Sequence, residues 1–141
     1  MTGTENVFRK YLDFLERANK ENISEILNYV DKEVRFKDPL HNVQGSHELH
    51  RIFEKLLTKL TEVKFTTKDL VAADHRAFFR WRLVSKVGSK VWCIEGATFL
   101  TINADKLITS HIEYWDKSSQ IYERLPIIGR LLRLLQMFLT R

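Results

Sequence analysis

From Glu5 to Ala18 the apolar residues Val7, Phe8, Tyr11, Leu12, Phe14 and Leu15 recur at spacings of three and four, with Arg9, Lys10, Asp13 and Glu16 between them. That is the period of an α-helix with one buried face. Asn22 stands in a capping position before a short second helix carrying Ile23, Ile26, Leu27 and Val30. Val34-Arg35-Phe36-Lys37-Asp38 then alternates with the period of a strand until Pro39 stops it, which sets Asp38 on the face of Val34 and Phe36. Gly45-Ser46 opens a third helix, with Ser46 as its cap and Leu49, Ile52, Phe53, Leu56, Leu57 and Leu60 as its core stripe.

Four strand-like runs rich in β-branched and aromatic residues follow, at about 63–73, 76–87, 90–102 and 106–116, separated by Ala-Asp, Gly-Ser and Asn-Ala-Asp turn signals. Connections this short make an antiparallel meander. Helices first and a long-stranded meander after is the α+β pattern, with three N-terminal helices packed on one face of a curved sheet. The middle strands are apolar on both sides: Val91, Cys93, Ala97 and Phe99 oppose Trp92, Ile94, Leu100 and Ile102. Helices cover only one of those faces, so the second cover is expected to be another subunit or the C-terminal helix.

Composition adds a single globular domain: 44% hydrophobic, 29% charged, and only 5 Gly and 2 Pro in 141 residues. The formal net charge of +5 at pH 7 is unevenly placed. Residues 1–70 hold 12 basic and 12 acidic side chains, whereas Lys117, Arg124, Arg130, Arg133 and Arg141 face Glu123 alone in the last 25 residues. Nucleic-acid binding asks for basic residues spread over one face with aromatics between them, and the body lacks that pattern, so no nucleic-acid partner is expected. The single Cys93 excludes an intramolecular disulfide and a thiolate zinc cluster. The five histidines lack metal-ligand spacing, and no cofactor is expected. The N-terminus has no apolar signal core, and a cytoplasmic location is expected.

Three groups of residues carry chemistry. Asp38 is a carboxylate on the buried side of a strand end, a place for a general base, although an Asp before Pro also caps a turn through its side chain. Glu95 shares a face with Cys93, Ala97 and Phe99; it either borders a pocket beside the small Ala97 or pairs with Arg80 or Arg82 of the adjacent strand. His111-Ile112-Glu113-Tyr114-Trp115-Asp116 ends the last strand, and alternation places Ile112, Tyr114 and Asp116 on one face and His111, Glu113 and Trp115 on the other. Tyr114 and Asp116 in one pocket would donate to and accept from a small carbonyl compound, with His111 and Glu113 forming a surface pair.

Phe36-Lys37-Asp38-Pro39, then Val43-Gln44-Gly45 and an apolar helix, then Trp81, then the His111–Asp116 segment, together resemble the SnoaL-like branch of the nuclear transport factor 2-like (ketosteroid isomerase-like) superfamily. The ending Tyr122-Glu123-Arg124-Leu125-Pro126-Ile127-Ile128-Gly129 is similar to the tail of a bacterial subgroup within it. The resemblance implies a cone of helices closed by a strongly bent, mostly antiparallel sheet over residues 1–124, with a ligand cavity inside and dimers formed through the outer sheet face. It also implies that Asp38 matches the proton-shuttling aspartate of the isomerases. The matching places Ala97 and Phe14 where those enzymes keep an aspartate and a tyrosine, so steroid isomerisation is not expected; Tyr11 and Glu95 are the nearest substitutes. The chemistry implied is isomerase-, cyclase- or hydratase-like proton transfer on a small apolar carbonyl compound, with Asp38, Tyr114, Asp116 and Glu95 as its catalytic set. Tyr11, Phe14, Phe36 and His41 would line the cavity from the helices and first strand. Trp81, Ala97, Phe99 and Ile112 would line it from the later strands. A non-catalytic binding module in the same cavity is the alternative. Residues 125–141 read as an amphipathic helix packed on its own domain or on the partner subunit, with contact to a membrane as the other reading.

Overall fold

The structure, a computed structural model, describes residues 3–116 and 126–140. Helix α1 spans Gly3–Arg17 and buries Phe8, Tyr11, Leu12 and Phe14, the stripe that its spacing predicts. A 3-10 segment follows over Ile23–Asn28; Asn22 makes no side-chain capping bond to it, and Ile23 and Ile26 are its buried residues. Strand β1 begins earlier than the alternation suggests, at Val30, and runs to Lys37. A three-residue strand β2, Asn42–Gln44, pairs back on β1 antiparallel, with Val43 opposite Phe36. Helix α2 spans Ser46–Lys59 and buries Leu49 and Ile52, while Leu56 is 43% exposed. Its N-cap is Gly45 rather than Ser46, at φ 113°, a backbone conformation that side chains disfavour.

Strands β3 (Thr61–Ala73), β4 (Arg76–Val87), β5 (Lys90–Ile102) and β6 (Ile108–Tyr114) form the meander. The sheet order is β2-β1-β6-β5-β4-β3, antiparallel throughout except for β1 against β6, which is parallel. The anticipated turns are present: Asp74 (φ 56°), Gly88 (φ 65°) and Lys106 (φ 64°) supply the left-handed positions. Asn103 closes the last turn: its backbone amide donates to the Leu107 carbonyl at 3.0 Å, its carbonyl accepts the Lys106 amide at 2.9 Å, and its side-chain oxygen accepts the Leu107 amide at 3.0 Å.

One sheet face packs on α1, the 3-10 segment and α2, and there the core lies: Phe8, Tyr11, Leu12, Phe14, Val34, Phe36, Leu49, Phe79, Trp81 and Leu100. Irregular register in β3–β4, β1–β6 and β5–β6 interrupts the ladders. Bulges of this kind increase twist and bend a sheet around what it covers. The other face is exposed and carries Val71, Phe78, Val91 and Tyr114, with Phe78 and Phe99 in ring contact at 4.8 Å.

That outer face also carries Lys64, Lys68, Arg76, Arg80 and Arg82, all exposed. The body, balanced in total charge, is therefore not balanced in space, a correction that strand alternation makes once β3 and β4 are paired.

Helix α3, Pro126–Thr140, has the predicted start. Arg130, Leu131 and residues 133–140 are exposed, so these side chains do not provide the expected packing on the chain's own domain. Tyr122, Glu123, Arg124 and Leu125 of the tail motif lie outside the described residues, as does the boundary expected near 124. Among the described residues no helix is long and apolar enough to cross a membrane.

Candidate functional site

Between α2, the 3-10 segment and the inner sheet face lies a cavity of about 520 Å³. Its volume falls within the range of about 300–1,000 Å³ common for small-molecule sites. Leu15, Ile23, Phe53, Leu57, Phe65, Leu83 and Ile94 supply apolar wall, and all 3 tryptophans of the chain, Trp81, Trp92 and Trp115, border it. Trp81 lies flat against β5 because position 96 is glycine: a Cβ there would sit 2.5 Å from the indole Cζ2. The indole Nε1 donates to Thr98 Oγ1 at 2.9 Å, so this buried N–H is satisfied without a ligand.

One end of the cavity is polar. Asp38 reaches it as the alternation of β1 requires, with its side chain only 9% exposed. Its Oδ1 accepts the Leu40 amide at 2.8 Å and the His41 amide at 2.6 Å, an Asx-type turn enforced where Pro39 ends the strand. His41 Nδ1 approaches the same oxygen at 3.0 Å. The two sequence readings of Asp38, turn cap and cavity carboxylate, therefore describe one side chain.

The second polar group is a chain of three residues. Tyr11 Oη lies 2.9 Å from His111 Nδ1, and His111 Nε2 lies 2.9 Å from Glu113 Oε1. Burial, reinforced by the negative charge of Glu113, pushes the Tyr11 phenol well above its usual range. Tyr11 stays protonated and donates to Nδ1, while the Nε2–H tautomer of His111 donates to Glu113, an assignment made from the hydrogen-bond network. His111 and Glu113 line the cavity; Tyr11, fully buried, stands behind His111. His111 is 1% exposed, so the pair with Glu113 is interior, not on the surface.

The last strand thus presents the face opposite to the one expected to carry chemistry. Register explains why: His111 pairs with Leu100 and with Phe36, both buried, which fixes His111, Glu113 and Trp115 inward. Tyr114 is 58% exposed, opposite Ala97 on the outer face, and Ile112 is opposite Phe99 there. Asp116 and Tyr114 border a shallow outer groove with Lys37 and Pro39, which Asp38 and Glu113 reach from its inner side. Glu95, Ala97 and Phe99 also face outward; Glu95 lies 3.8 Å from Arg82 Nε, the pairing that was the alternative for it. Ala97, matched by sequence to the isomerase aspartate, faces away from the cavity, opposite Arg80 and Tyr114. Phe14 and Phe36 are core residues beside the site: Phe14 stacks on Tyr29 at 4.9 Å, and Phe36 meets Phe53 and His111, both at 5.3 Å. Of the expected cavity residues, Asp38, His41 and Trp81 border the space directly. Among the described residues no group of three or more His, Cys, Asp or Glu is placed to hold a metal ion.

The SnoaL-like domain family matches residues 9–111, from the first helix to the buried histidine. The chain belongs to the SnoaL-like family. Comparison with curated proteins finds no match. Solved structures share the fold at low identity. A nuclear transport factor 2-like protein of unknown function from Burkholderia pseudomallei superposes with a TM-score of 0.73 at 10% identity, covering 86% of this chain and 96% of that one. A Jannaschia protein provisionally described as a SnoaL-like polyketide cyclase gives 0.72 at 10% identity, with 84% and 92% covered. An Agrobacterium tumefaciens protein provisionally described as an isomerase of the SnoaL-like family gives 0.66 at 20% identity, with 82% and 99% covered. At such identities the likeness is one of fold, which fits the helix-and-bent-sheet architecture of this SnoaL-like chain.

Proposed function

We propose that this SnoaL-like protein binds a small, largely apolar carbonyl compound in the cavity and moves a proton on it, with Asp38 as the base. The observation that carries the reading is the presence of two histidine-partnered carboxylates, Asp38 and Glu113, on a cavity whose wall is largely aliphatic and aromatic, with Glu16, Arg51, Lys55 and Lys59 also bordering it. Apolar walls hold the carbon skeleton and exclude water, and the few polar groups fix which end of it reacts.

In this reading Asp38 takes a proton from the carbon next to the carbonyl, the bonding pair moves into an enolate, and Asp38 returns the proton to a different carbon. No oxidant or reductant enters. The backbone amides of Leu40 and His41 and the imidazole of His41 hold the carboxylate in one orientation, so little reorganisation accompanies proton transfer. Glu113, fixed through His111 and Tyr11, is the second polar group facing the substrate. The neighbours described as an isomerase and a polyketide cyclase support this reaction class.

The test is proton exchange. In D₂O, a panel of apolar cyclic ketones and enones is followed by NMR for deuterium incorporation next to the carbonyl. Incorporation is expected with the native chain and lost in Asp38→Asn, which keeps an oxygen acceptor for the two amides and hence the turn. Equal incorporation in both would overturn the assignment of Asp38. Stabilisation of the native state by a panel compound, with no exchange in either chain, would favour the non-catalytic binding module.

A further inference from the structure

The apolar face of α3 is left uncovered. At 100° per residue, Leu134, Phe138, Leu131, Leu135 and Leu139 fall within one arc of about 140°, whereas Arg130, Arg133, Gln136 and Thr140 occupy the opposite side. The five apolar residues are 54–78% exposed. Isolated surface leucines are ordinary, but four leucines and a phenylalanine in one continuous stripe on a single helix mark a surface built to be covered.

Three properties select the cover. First, the helix carries two arginines and no acidic residue, so its partner supplies negative charge. Second, its 15 residues rise about 22 Å, short of the roughly 30 Å hydrocarbon core, so it lies along a bilayer and does not cross it. Third, the exposed apolar patch around Phe78 and Val91 on the outer sheet is ringed by Lys64, Lys68, Arg76, Arg80 and Arg82, and two nearby carboxylates are already engaged: Asp69 at 3.1 Å from Arg80, and Glu95 at 3.8 Å from Arg82. Seating an arginine-bearing helix there, on a second copy, sets like charge against like.

We infer that α3 is an interfacial anchor for an anionic lipid surface, its leucine and phenylalanine stripe embedded at the level of the acyl boundary and Arg130 and Arg133 held at the headgroups. The occupant is the bilayer interface itself, recognised by apolar area and negative charge together.

Full-length protein is co-sedimented with vesicles of phosphatidylcholine alone or of phosphatidylcholine with phosphatidylglycerol, at low and high salt. Binding is expected with the anionic vesicles, weakened by salt and weak on the zwitterionic ones. Replacing Arg130 or Arg133 by Gln is expected to lower partitioning about five-fold each at low salt, and Arg130→Lys/Arg133→Lys restores it because charge is kept. Leu134→Glu/Phe138→Glu abolishes binding while the melting transition of the domain stays in place, since both residues are exposed. No binding to either vesicle, or binding indifferent to the arginines and to lipid charge, would overturn the inference. So would an oligomer in sedimentation velocity that Leu134→Glu/Phe138→Glu breaks, which would assign the stripe to a second copy.

Discussion

Tyr11→Phe removes one oxygen atom from the centre of the molecule and tests the buried chain Tyr11–His111–Glu113. At neutral pH the native hydroxyl donates to His111 Nδ1 over 2.9 Å in a fully buried setting. Deleting it leaves that ring nitrogen without its partner, which costs about 1–3 kcal/mol. Alkaline pH then discriminates this chain from ordinary packing. The folded phenol is held protonated above the usual tyrosine value, so above about pH 10 the unfolded chain releases a proton that the folded chain keeps. Stability from this group is complete below the unfolded value and falls by about 1.4 kcal/mol per pH unit above it. The Phe variant has no proton to lose at this position, so the difference between the two chains isolates Tyr11. Urea unfolding monitored by tryptophan emission should therefore show a gap of about 1–3 kcal/mol near pH 7 that shrinks by about 1.4 kcal/mol by pH 11. Parallel stability curves from pH 7 to about pH 11 would refute the placement of Tyr11 as a buried, protonated donor.

Further outcomes follow from the same geometry. Gly96→Ala drives a methyl into the Trp81 indole and breaks its bond to Thr98, so a loss of about 1–3 kcal/mol and a shifted tryptophan emission are expected; an unchanged spectrum would contradict the tight contact. Glu113→Gln keeps an acceptor for His111 Nε2–H but removes the charge at the cavity end; if Glu113 faces the substrate as proposed, exchange activity falls with little change in melting temperature, and unaltered exchange would limit the chemistry to Asp38.

The elements were legible because each rests on a local period: the three-and-four spacing of α1, the alternation that carries Asp38 inward with Phe36, the turn residues between long strands. The orientation of β5 and β6 was not. Alternation divides a strand into two faces without saying which is inside, and where both are apolar the sequence offers no asymmetry to decide. Glu95, Ala97, Phe99 and Tyr114 accordingly read as cavity residues and lie outside it, while His111 and Glu113 read as a surface pair and lie within. Pairing decides the matter: one residue of β6, His111, sits between Leu100 and Phe36, and everything at even spacing from it follows. A usable signal was present in Trp115, a large aromatic in step with His111 and Glu113 that would have been poorly placed on a solvent face. Helix α3 was legible as an amphipathic helix, but its cover was not, since periodicity identifies a face that wants burial and not the partner that buries it. The short β2 carried too few residues to show a period at all.

Because all 3 tryptophans border the cavity, their emission reports directly on whether it takes up an apolar ligand. Titration of the full chain with cyclic ketones and enones should give, for at least one of them, a saturable change in emission that Leu83→Phe weakens by adding bulk to the cavity wall beside Trp81 and opposite Phe65. A response that stays linear or absent for every compound, and is the same in the variant, would contradict the claim that this SnoaL-like chain encloses a small-molecule site.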